Sequence, residues 1–528
     1  MKRIPAIRIL ALGALLAAGV YLPRLGAPLA WDDLPYIAFN PALRRPIPPS
    51  AYFRPAYFEV SREATWRPLA TWTYAAMLRA FGERPWALRL PGFLLHLACG
   101  LLAFLLLREL GSPDGAAAWA AALFLVHPVH VETVMCVSFN EDLLVCAGLL
   151  GMLLAHARGR TVLAGALYAA AMLSKETGIL GLPLAALLDR ESRRPWRARR
   201  GSYAAYAILA ASYLRLRLGP LAGPSEGPAL ALPLWERALQ AAKALAVSLR
   251  VLALPVGLRI EYFALPPRPA DLLAPAALAA LAGAAALLVR RRPAPDERFA
   301  FAWPWPFLAA VSPLLPAGVL NLRLLAERFL YAPCLGFSAL AARRLRPETL
   351  AVLLLAWTCL GARRAADWSR EERLWEGLAE IYPRSAKAEE GLGEAYLRAG
   401  DPARAAQALE KARALREERA DPILRRYAPL TPELPWDKAS VYRSLGLCYA
   451  DLGEEARAEP LLRRALELDP AAPSAHAALA YAAARLGRFD EARSWAERGL
   501  ERFPGDPLLL RLLESARERR LSFRARFS

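Results

Sequence analysis

Two adjacent carboxylates, Asp32 and Asp33, directly follow the first long apolar run of the sequence. A carboxylate at the edge of a membrane is partly desolvated, and desolvation raises the pKa of a carboxyl group toward the range useful for a general base. The position therefore predicts a base acting on a substrate presented at the membrane surface. A helix cap or a solvated loop acid is the alternative, and the sequence does not say which of the two acids would act.

Charged residues also interrupt a later apolar run at Ser174-Lys175-Glu176. Charges at membrane depth are costly and mark either a functional site or a buried ion pair. Lys175 could hold a phosphate, with Glu176 orienting it or pairing with it. Glu327 and Arg328 open another apolar segment, and arginine binds phosphate through a planar fork of donors. The alternatives are side chains that extend to the membrane surface and an arginine that anchors its helix there.

Further polar candidates gather at the end of the third apolar segment. His127 and His130 are three positions apart and share a helix face, with Glu132 two residues later. A metal ion would need more ligands than this segment provides, and no CxxC pair occurs. We therefore predict no metal and no cofactor, and either a polar contact to substrate or a structural hydrogen-bonded cluster. The remaining polar candidates for the substrate site are Arg67, Glu141 and Asp142.

The elements that must position these residues are membrane-spanning helices. Hydrophobic residues make up 56% of the 528 positions, and nearly all the long apolar runs fall within residues 1–363. Runs of about 20 apolar residues match the thickness of a bilayer. Counting them predicts about eleven spans, including a stretch at 161–188 that the Ser-Lys-Glu interruption divides into two short helices.

The net charge of +19 comes from arginine bursts between apolar segments. The bursts lie at 158–160, 190–200, 290–292 and 343–346, which is the pattern of loops retained on the cytoplasmic side of a membrane. This pattern predicts a multi-pass protein with a cytoplasmic N-terminus and an extracytoplasmic C-terminal domain. It disfavours nucleic-acid binding, and the arginine- and alanine-rich composition favours a bacterial inner membrane.

Residues 364–528 carry a 34-residue repeat. Gly453 recurs at Gly487, and Pro470 recurs at Pro504. An earlier copy, containing Leu392-Gly393-x-x-Tyr396, is separated from the next by an insertion near 419–437. A 34-residue period with small packing residues and a proline at the unit end is typical of tetratricopeptide helix pairs, and about three copies suffice to bury a continuous core.

These motifs, in this order, resemble a known family. The chain resembles the transmembrane and tetratricopeptide-repeat O-mannosyltransferases and their bacterial relatives, within the GT-C class of membrane glycosyltransferases. The resemblance covers essentially the whole chain. It rests on Trp31-Asp32-Asp33, Trp66-Arg67-Pro68-Leu69, His127-Pro128-x-His130-x-Glu132, Ser174-Lys175-Glu176, Ala326-Glu327-Arg328-Phe329-Leu330-Tyr331 and the repeats that follow.

The expected fold is all-α: a polytopic GT-C-like domain over 1–363, followed by a tetratricopeptide-repeat α-solenoid over 364–528. The resemblance implies an inverting transfer of a sugar from a polyprenyl-phosphate donor to a protein or polymer hydroxyl on the extracytoplasmic face. An acid of the first external loop, Asp32 or Asp33 by position, would be the base. Lys175 and Arg328 would hold the lipid phosphate, and the repeats would bind the acceptor.

Two other classes of function compete with this interpretation. A non-catalytic membrane scaffold would use the repeats to assemble an envelope complex. A transporter of lipid-linked sugar predicts internal symmetry between two halves of the chain, which the sequence does not show. No Walker loop, GxSxG, HExxH or dinucleotide fingerprint occurs, which disfavours a nucleotide-driven pump and a soluble-type hydrolase.

Overall fold

The protein is helical throughout, apart from one two-stranded sheet among the residues described. A computed structural model describes residues 5–61, 63, 65–223, 232–276, 278–279, 293–311, 323–427, 429, 437–470 and 472–521. The chain divides into two compact units, Met1–Arg370 and Glu371–Ser528. The predicted all-α class is therefore confirmed.

The first unit contains the apolar helices. Several of them begin with proline at their first position, where its missing N–H leaves no hydrogen bond unmade. In chain order they are α1 Ala6–Tyr21, α2 Tyr57–Ser61, α3 Pro68–Phe81, α4 Pro85–Glu109, α5 Asp114–Val126, α6 Val131–Met135, α7 Asn140–Ala157, α8 Thr161–Ser174, α9 Gly181–Glu191, α10 Arg200–Leu218, α11 Leu234–Ala253, α12 Pro295–Ala302, α13 Pro304–Ala310, α14 Pro333–Arg344 and α15 Pro347–Asp367.

Helices α5 and α7 form the centre of this unit. Nearly every residue of α7 is buried, as is every residue of α5 from Ala120 to Val126. Helix α5 packs against α1, α4, α14 and α15. Small residues allow the close approach, as is common between helices in membranes. A Cβ added at Gly13 of α1 would lie 2.7 Å from the Cα of Ala122 in α5.

Four described helices are long and apolar enough to cross a bilayer, and a bent pair would make a fifth. They are Ala6–Arg24, Pro85–Glu109, Val137–Ala157 and Pro347–Asp367, and the bent pair is Asp114–Val126 with Pro128–Met135 at 48°. The chain is a multi-pass membrane protein. The count of about eleven spans stays a prediction, because residues 280–292 and 312–322, which include apolar runs, lie outside the described part of the chain.

The apolar stretch at 161–188 is broken where the sequence predicts. Helix α8 ends at Ser174, a 3-10 helix covers Glu176–Leu180, and α9 begins at Gly181. A second irregular region follows α11, where strand β1 (Tyr262–Phe263) pairs antiparallel with β2 (Arg323–Leu325). Both irregular regions are held within the first unit, as backbone at membrane depth requires.

The second unit is a stack of antiparallel helix pairs. It comprises α16 Glu371–Ile381, α17 Ala386–Ala399, α18 Pro402–Glu417, α19 Pro422–Tyr427, α20 Ala439–Leu452, α21 Glu455–Leu468, α22 Pro473–Arg485, α23 Phe489–Arg502 and α24 Pro507–Arg517. Pairs α17–α18, α20–α21 and α22–α23 match the three predicted repeats. Gly400 and Gly453 end the first helix of their pairs in the left-handed conformation (φ 92° and 78°), which glycine adopts without strain.

The inserted segment near 419–437 contains α19, and residues 428 and 430–436 lie outside the described part of the chain. The boundary expected between residues 363 and 364 falls inside α15, which continues to Asp367. The division into domains 1–363 and 364–528 stays a prediction.

Candidate active site

The first unit encloses a cavity of about 660 Å³. Its walls come from the loop after α1, the starts of α3 and α7, the break between α8 and α9, the end of α10 and the turn before α14. Segments far apart in the sequence therefore meet at one place. The predicted site residues that line it are Asp32, Arg67, Glu141, Asp142, Lys175, Glu176 and Arg328.

Lys175 is buried and held by two carboxylates of the first turn of α7. Its Nζ lies 2.7 Å from both oxygens of Asp142 and 3.1 Å from Glu141. The break after α8 places the ammonium group at the N-terminus of α7, where carboxylates are also stabilised by the helix dipole. A phosphate approaching Lys175 would compete with both carboxylates.

Arg67 joins the start of α7 to the α8–α9 break. Its Nη1 donates to both oxygens of Glu141 at 2.7 and 2.6 Å. Its Nε and Nη2 donate to Glu176 at 3.0 and 2.8 Å. This two-sided pairing uses the planar fork of the guanidinium, so Arg67 and Lys175 together form one continuous network with their carboxylates.

Glu63 lies at the margin of this network, 3.9 Å from Arg67. Burial, together with the nearby charge of Glu141, raises the pKa of Glu63 to about 8, although Arg67 opposes the shift. A carboxyl group with a raised pKa in the folded state binds its proton more tightly there than in the unfolded chain. The free energy of unfolding therefore falls as the pH rises from the unfolded pKa toward about 8.

Replacing Glu63 with glutamine is expected to remove this pH-dependent loss. The melting temperature of Glu63→Gln in detergent should exceed that of the wild type, by a margin that widens from about pH 5 to about pH 8. The measurement is thermal unfolding of both purified proteins across that range. A difference in melting temperature that stays constant with pH would contradict the raised pKa of Glu63.

Arg328 lines the cavity from the 3-10 helix before α14. Its Nη1 donates to Glu132 at 2.6 Å, and its guanidinium lies 4.1 Å from the centre of the Phe139 ring. The cation–π contact and the ion pair fix the side chain, and its contacts with the described residues occupy only part of its five N–H donors. Glu132 is fully buried and is not among the residues that line the cavity.

The two adjacent acids after α1 have different environments. Asp32 lines the cavity. Asp33 is 1% exposed and accepts hydrogen bonds from the Ser138 backbone N–H at 2.8 Å and from the Cys136 thiol at 3.2 Å. Burial raises the pKa of Asp33 above its usual range, against the influence of Arg89. Asp33 therefore ties the loop to the start of α7.

The backbone conformation of Trp31 places Asp32 and Asp33 in these two environments. Its backbone is left-handed, with φ 51°, a conformation that costs a residue with a Cβ about 1 kcal/mol. Its ring packs against Phe139 and Trp368 with centroids 5.8 and 5.9 Å away. The turn at Trp31 leaves Asp32 at the cavity wall and Asp33 in the interior.

The predicted histidine candidates do not line the cavity. His127 donates from Nε2 to the Leu252 carbonyl at 3.0 Å and accepts at Nδ1 from Val129 N–H. The His130 ring lies between aromatic rings, with centroids 4.5 Å from Tyr331 and 4.6 Å from Phe124. Both side chains are fully buried, and the contacts of His127 fix the bend between α5 and α6.

Glu327 also lies away from the cavity lining, in a buried cluster. It accepts from the Arg259 backbone N–H at 2.5 Å, from the Tyr262 hydroxyl at 3.1 Å and from Arg364 at 3.3 Å. Burial raises the pKa of Glu327 to about 7, against the influence of Arg364. These bonds fix the segment that carries Arg328.

Arg217, in the last turn of α10, lines the cavity and is not among the sequence-based candidates. In the described part of the chain it forms no ion pair, although it lies within electrostatic range of Glu176. The sequence does hold a signal for it. Arg215 and Arg217 depart from the positive-inside pattern, because they fall at a helix end assigned to the extracytoplasmic side.

No cluster suited to a metal ion occurs among the described residues: no group of three or more His, Cys, Asp or Glu side chains could hold one. Three acids of the cavity, Glu141, Asp142 and Glu176, are instead paired with Arg67 or Lys175.

Two segments of the chain match known families. Residues 65–214 match the family described as Dolichyl-phosphate-mannose-protein mannosyltransferase, and residues 449–516 match the Tetratricopeptide repeat. The chain is 31% identical over 186 residues to Protein O-mannosyl-transferase Tmtc1 of Drosophila melanogaster, and 30% identical over 196 residues to Tmtc2 of the same species. The predicted resemblance is confirmed. The chain thus combines a segment similar to the mannosyltransferase family with a segment similar to the Tetratricopeptide repeat.

The matched regions cover a limited share of each protein. Each alignment includes 33% of this chain and only 22% or 21% of the relative. Among solved structures, the apo oligosaccharyltransferase of Archaeoglobus fulgidus is 16% identical, with a TM-score of 0.36, and the match covers 69% of this chain and 56% of that one. This structural likeness is too weak to support a functional argument.

Proposed function

We propose that this O-mannosyltransferase-like protein is a membrane glycosyltransferase that moves a sugar from a polyprenyl-phosphate donor to a hydroxyl of a protein or polymer acceptor. The observation that carries the proposal is one cavity lined by Asp32, Arg328 and Arg217. A transfer from a phosphate leaving group requires an acid that can act as base and cations that can hold the phosphate. Asp32 supplies the acid, and Arg328 and Arg217 supply the cations at the same cavity wall. The cavity volume suits one sugar-phosphate group with space for an acceptor.

In the proposed reaction Asp32 accepts the proton of the acceptor hydroxyl while its oxygen forms a bond to the anomeric carbon. The bond from that carbon to the phosphate oxygen breaks, and its electron pair leaves with the polyprenyl phosphate. Attack and departure occur on opposite sides of the carbon, so the anomeric configuration inverts. Holding both substrates in one cavity supplies the alignment that this single displacement needs.

Arg328 and Arg217 are the cations best placed to stabilise the leaving phosphate. Arg328 makes one hydrogen-bonded pair, with Glu132, and Arg217 makes none with a carboxylate among the described residues. The charge on Lys175 is balanced by Asp142 and Glu141. We assign Lys175, Arg67 and Glu176 to shaping the cavity wall, and a direct contact between Lys175 and phosphate stays a prediction.

The helices that run away from the cavity support the orientation that we propose for it. Helix α9 starts next to the cavity-lining Leu180 and carries Arg190 in its last turn, and α14 starts after Ala332 and ends with Arg343 and Arg344. The cavity is thus at the opposite end of both helices from these arginines. The positive-inside rule supports an extracytoplasmic cavity. We further propose that the repeats bind the acceptor on that side of the membrane.

Binding of the donor is the first property that tests the proposal. Arg217→Gln is expected to weaken the binding of a short-chain polyprenyl-phosphate sugar by about tenfold, because it removes charge-assisted hydrogen bonds. Arg215→Gln is the matched control: Arg215 is exposed two positions earlier and does not line the cavity. The measurement is titration of the purified full-length protein with the labelled donor.

The outcome also separates the enzyme from the scaffold. A wild-type protein that binds no polyprenyl-phosphate sugar favours the scaffold, in which the repeats alone carry function. An equal loss of affinity in Arg215→Gln and Arg217→Gln would show that the donor is attracted by the general charge of this helix end. The cavity would then not be its binding site.

A further inference from the structure

A second cavity lies at the far ends of the helices that lead away from the candidate active site. It has a volume of about 510 Å³ and is bordered by the ends of α9 and α14 and by α12. Its floor is apolar, with Leu187, Phe301 and Leu340 among the lining residues. The reaction proposed above uses none of these side chains.

Three arginines stand at the rim of this second cavity. Arg298 donates from Nε to Glu191 at 2.5 Å, and Arg344 donates from Nε to Glu297 at 2.6 Å. The side chain of Arg190 is 82% exposed, and its Nε lies 3.7 Å from Glu191, which is too far for a hydrogen bond. Among the described residues that line this cavity, the two glutamates balance two of the three arginine charges, so one positive charge remains.

Arg344 also has N–H groups that are not hydrogen-bonded to a described residue. Arg344 engages its acceptor through Nε, and among the described residues its two Nη nitrogens have no acceptor. A guanidinium presents five N–H groups in a fork that fits a phosphate. One uncompensated charge with spare donors above an apolar floor matches a ligand that has a singly charged phosphate head and a hydrocarbon body.

We propose that this second cavity binds one anionic phospholipid of the bilayer. Its phosphate lies against Arg190 and Arg344, and an acyl chain lies over Phe301 and Leu340. Basic pockets between membrane helices on the arginine-rich side are suited to anionic head groups. Binding of a phospholipid here is independent of sugar transfer, because the second cavity lies at the opposite ends of α9 and α14 from the candidate active site.

The test measures lipid selectivity of the full-length protein in nanodiscs made from equal amounts of phosphatidylglycerol and phosphatidylcholine. After extraction into detergent, the lipids that remain with the protein are quantified by mass spectrometry. We expect phosphatidylglycerol to be enriched about fivefold over phosphatidylcholine, as expected for one added cationic contact at a membrane surface. Arg190→Gln/Arg344→Gln should reduce the enrichment to that of the bulk bilayer.

Two further variants make the result decisive. Arg158→Gln, which removes an arginine loosely paired with Glu109 at 3.6 Å and outside the cavity lining, should keep the enrichment. Leu340→Trp, which fills the apolar floor without changing charge, should abolish it. Retention of full enrichment by Leu340→Trp or by the double arginine variant overturns the proposal, as does a wild type that holds both lipids equally.

Discussion

Asp32→Asn is expected to lower the rate of sugar transfer by about two orders of magnitude or more, with little effect on the amount of folded protein. Asparagine has nearly the shape of aspartate but cannot accept the hydroxyl proton, so the contribution of the general base is lost. Asp32 lies at the cavity wall, where this change disturbs little packing. The measurement is the initial rate of transfer at saturating donor, per mole of monodisperse protein.

Asp33→Asn is the matched control for this prediction. The neighbouring acid is buried and holds the Ser138 backbone N–H, a bond that the asparagine carbonyl can also accept. We therefore expect transfer to stay within about tenfold of the wild type, with any loss appearing as a lower melting temperature. If transfer were abolished in Asp33→Asn and retained in Asp32→Asn, the roles assigned to the two acids would be reversed.

Lys175→Met is expected to cause the largest loss of stability of any single change to the cavity wall. The substitution leaves Asp142 buried without the ammonium group that pairs with it, while Glu141 keeps its pair with Arg67. Removing one partner of a buried pair costs about 3–5 kcal/mol, because the remaining charge is neither solvated nor balanced. The measurement is chemical or thermal unfolding of the purified protein in detergent, followed by helical content.

An exposed pair of equal length provides the control. Arg108 and Asp114 are 2.7 Å apart, but their side chains are 49% and 62% exposed, so Arg108→Met should cost less than about 1 kcal/mol. Adding Asp142→Asn to Lys175→Met should restore part of the lost stability, since the unbalanced charge of Asp142 is removed. Equal losses in Lys175→Met and Arg108→Met would show that the network does not hold the wall together.

A local signal in the sequence was sufficient to predict the break between α8 and α9. The charged interruption at Lys175 marks a place where a regular helix stops, because a charge within an apolar run is a local property of the sequence. The bend at Pro128 was not predicted, since His127 and His130 were expected on one helix face. The repeat could also be predicted from the sequence, because glycine and proline recur at a fixed spacing that the helix pairs require.

The pairing inside the candidate site could not be read in the same way. Lys175 and Asp142 are 33 positions apart, and Arg67 is 109 positions from Glu176. Which carboxylate meets which cation depends on how the helices pack, and the sequence alone does not specify that packing. The sequence offered Lys175 as a phosphate ligand or as a partner of Glu176, whereas the structure pairs it with Asp142 and Glu141. A contact between Lys175 and phosphate stays a prediction.

The difference between Asp32 and Asp33 depends on the backbone at Trp31. A left-handed conformation is rare for a bulky residue and has no sequence signal at a tryptophan. Packing against Phe139 and Trp368 compensates for it, and Phe139 is distant in the chain. The role of the histidine motif also depends on contacts that the sequence does not specify. A structural cluster was one of the two alternatives, and the contact of His127 with Leu252 favours it.

We propose that the chain itself transfers a sugar from a lipid phosphate at this cavity. The most direct measurement is transfer by the purified wild-type protein from mannosyl, glucosyl and galactosyl polyprenyl phosphates to a hydroxyl acceptor, with the anomeric configuration of the product determined by NMR. We expect a product of inverted configuration from at least one donor. Absence of product from every donor, or a product of retained configuration, would contradict the proposed reaction.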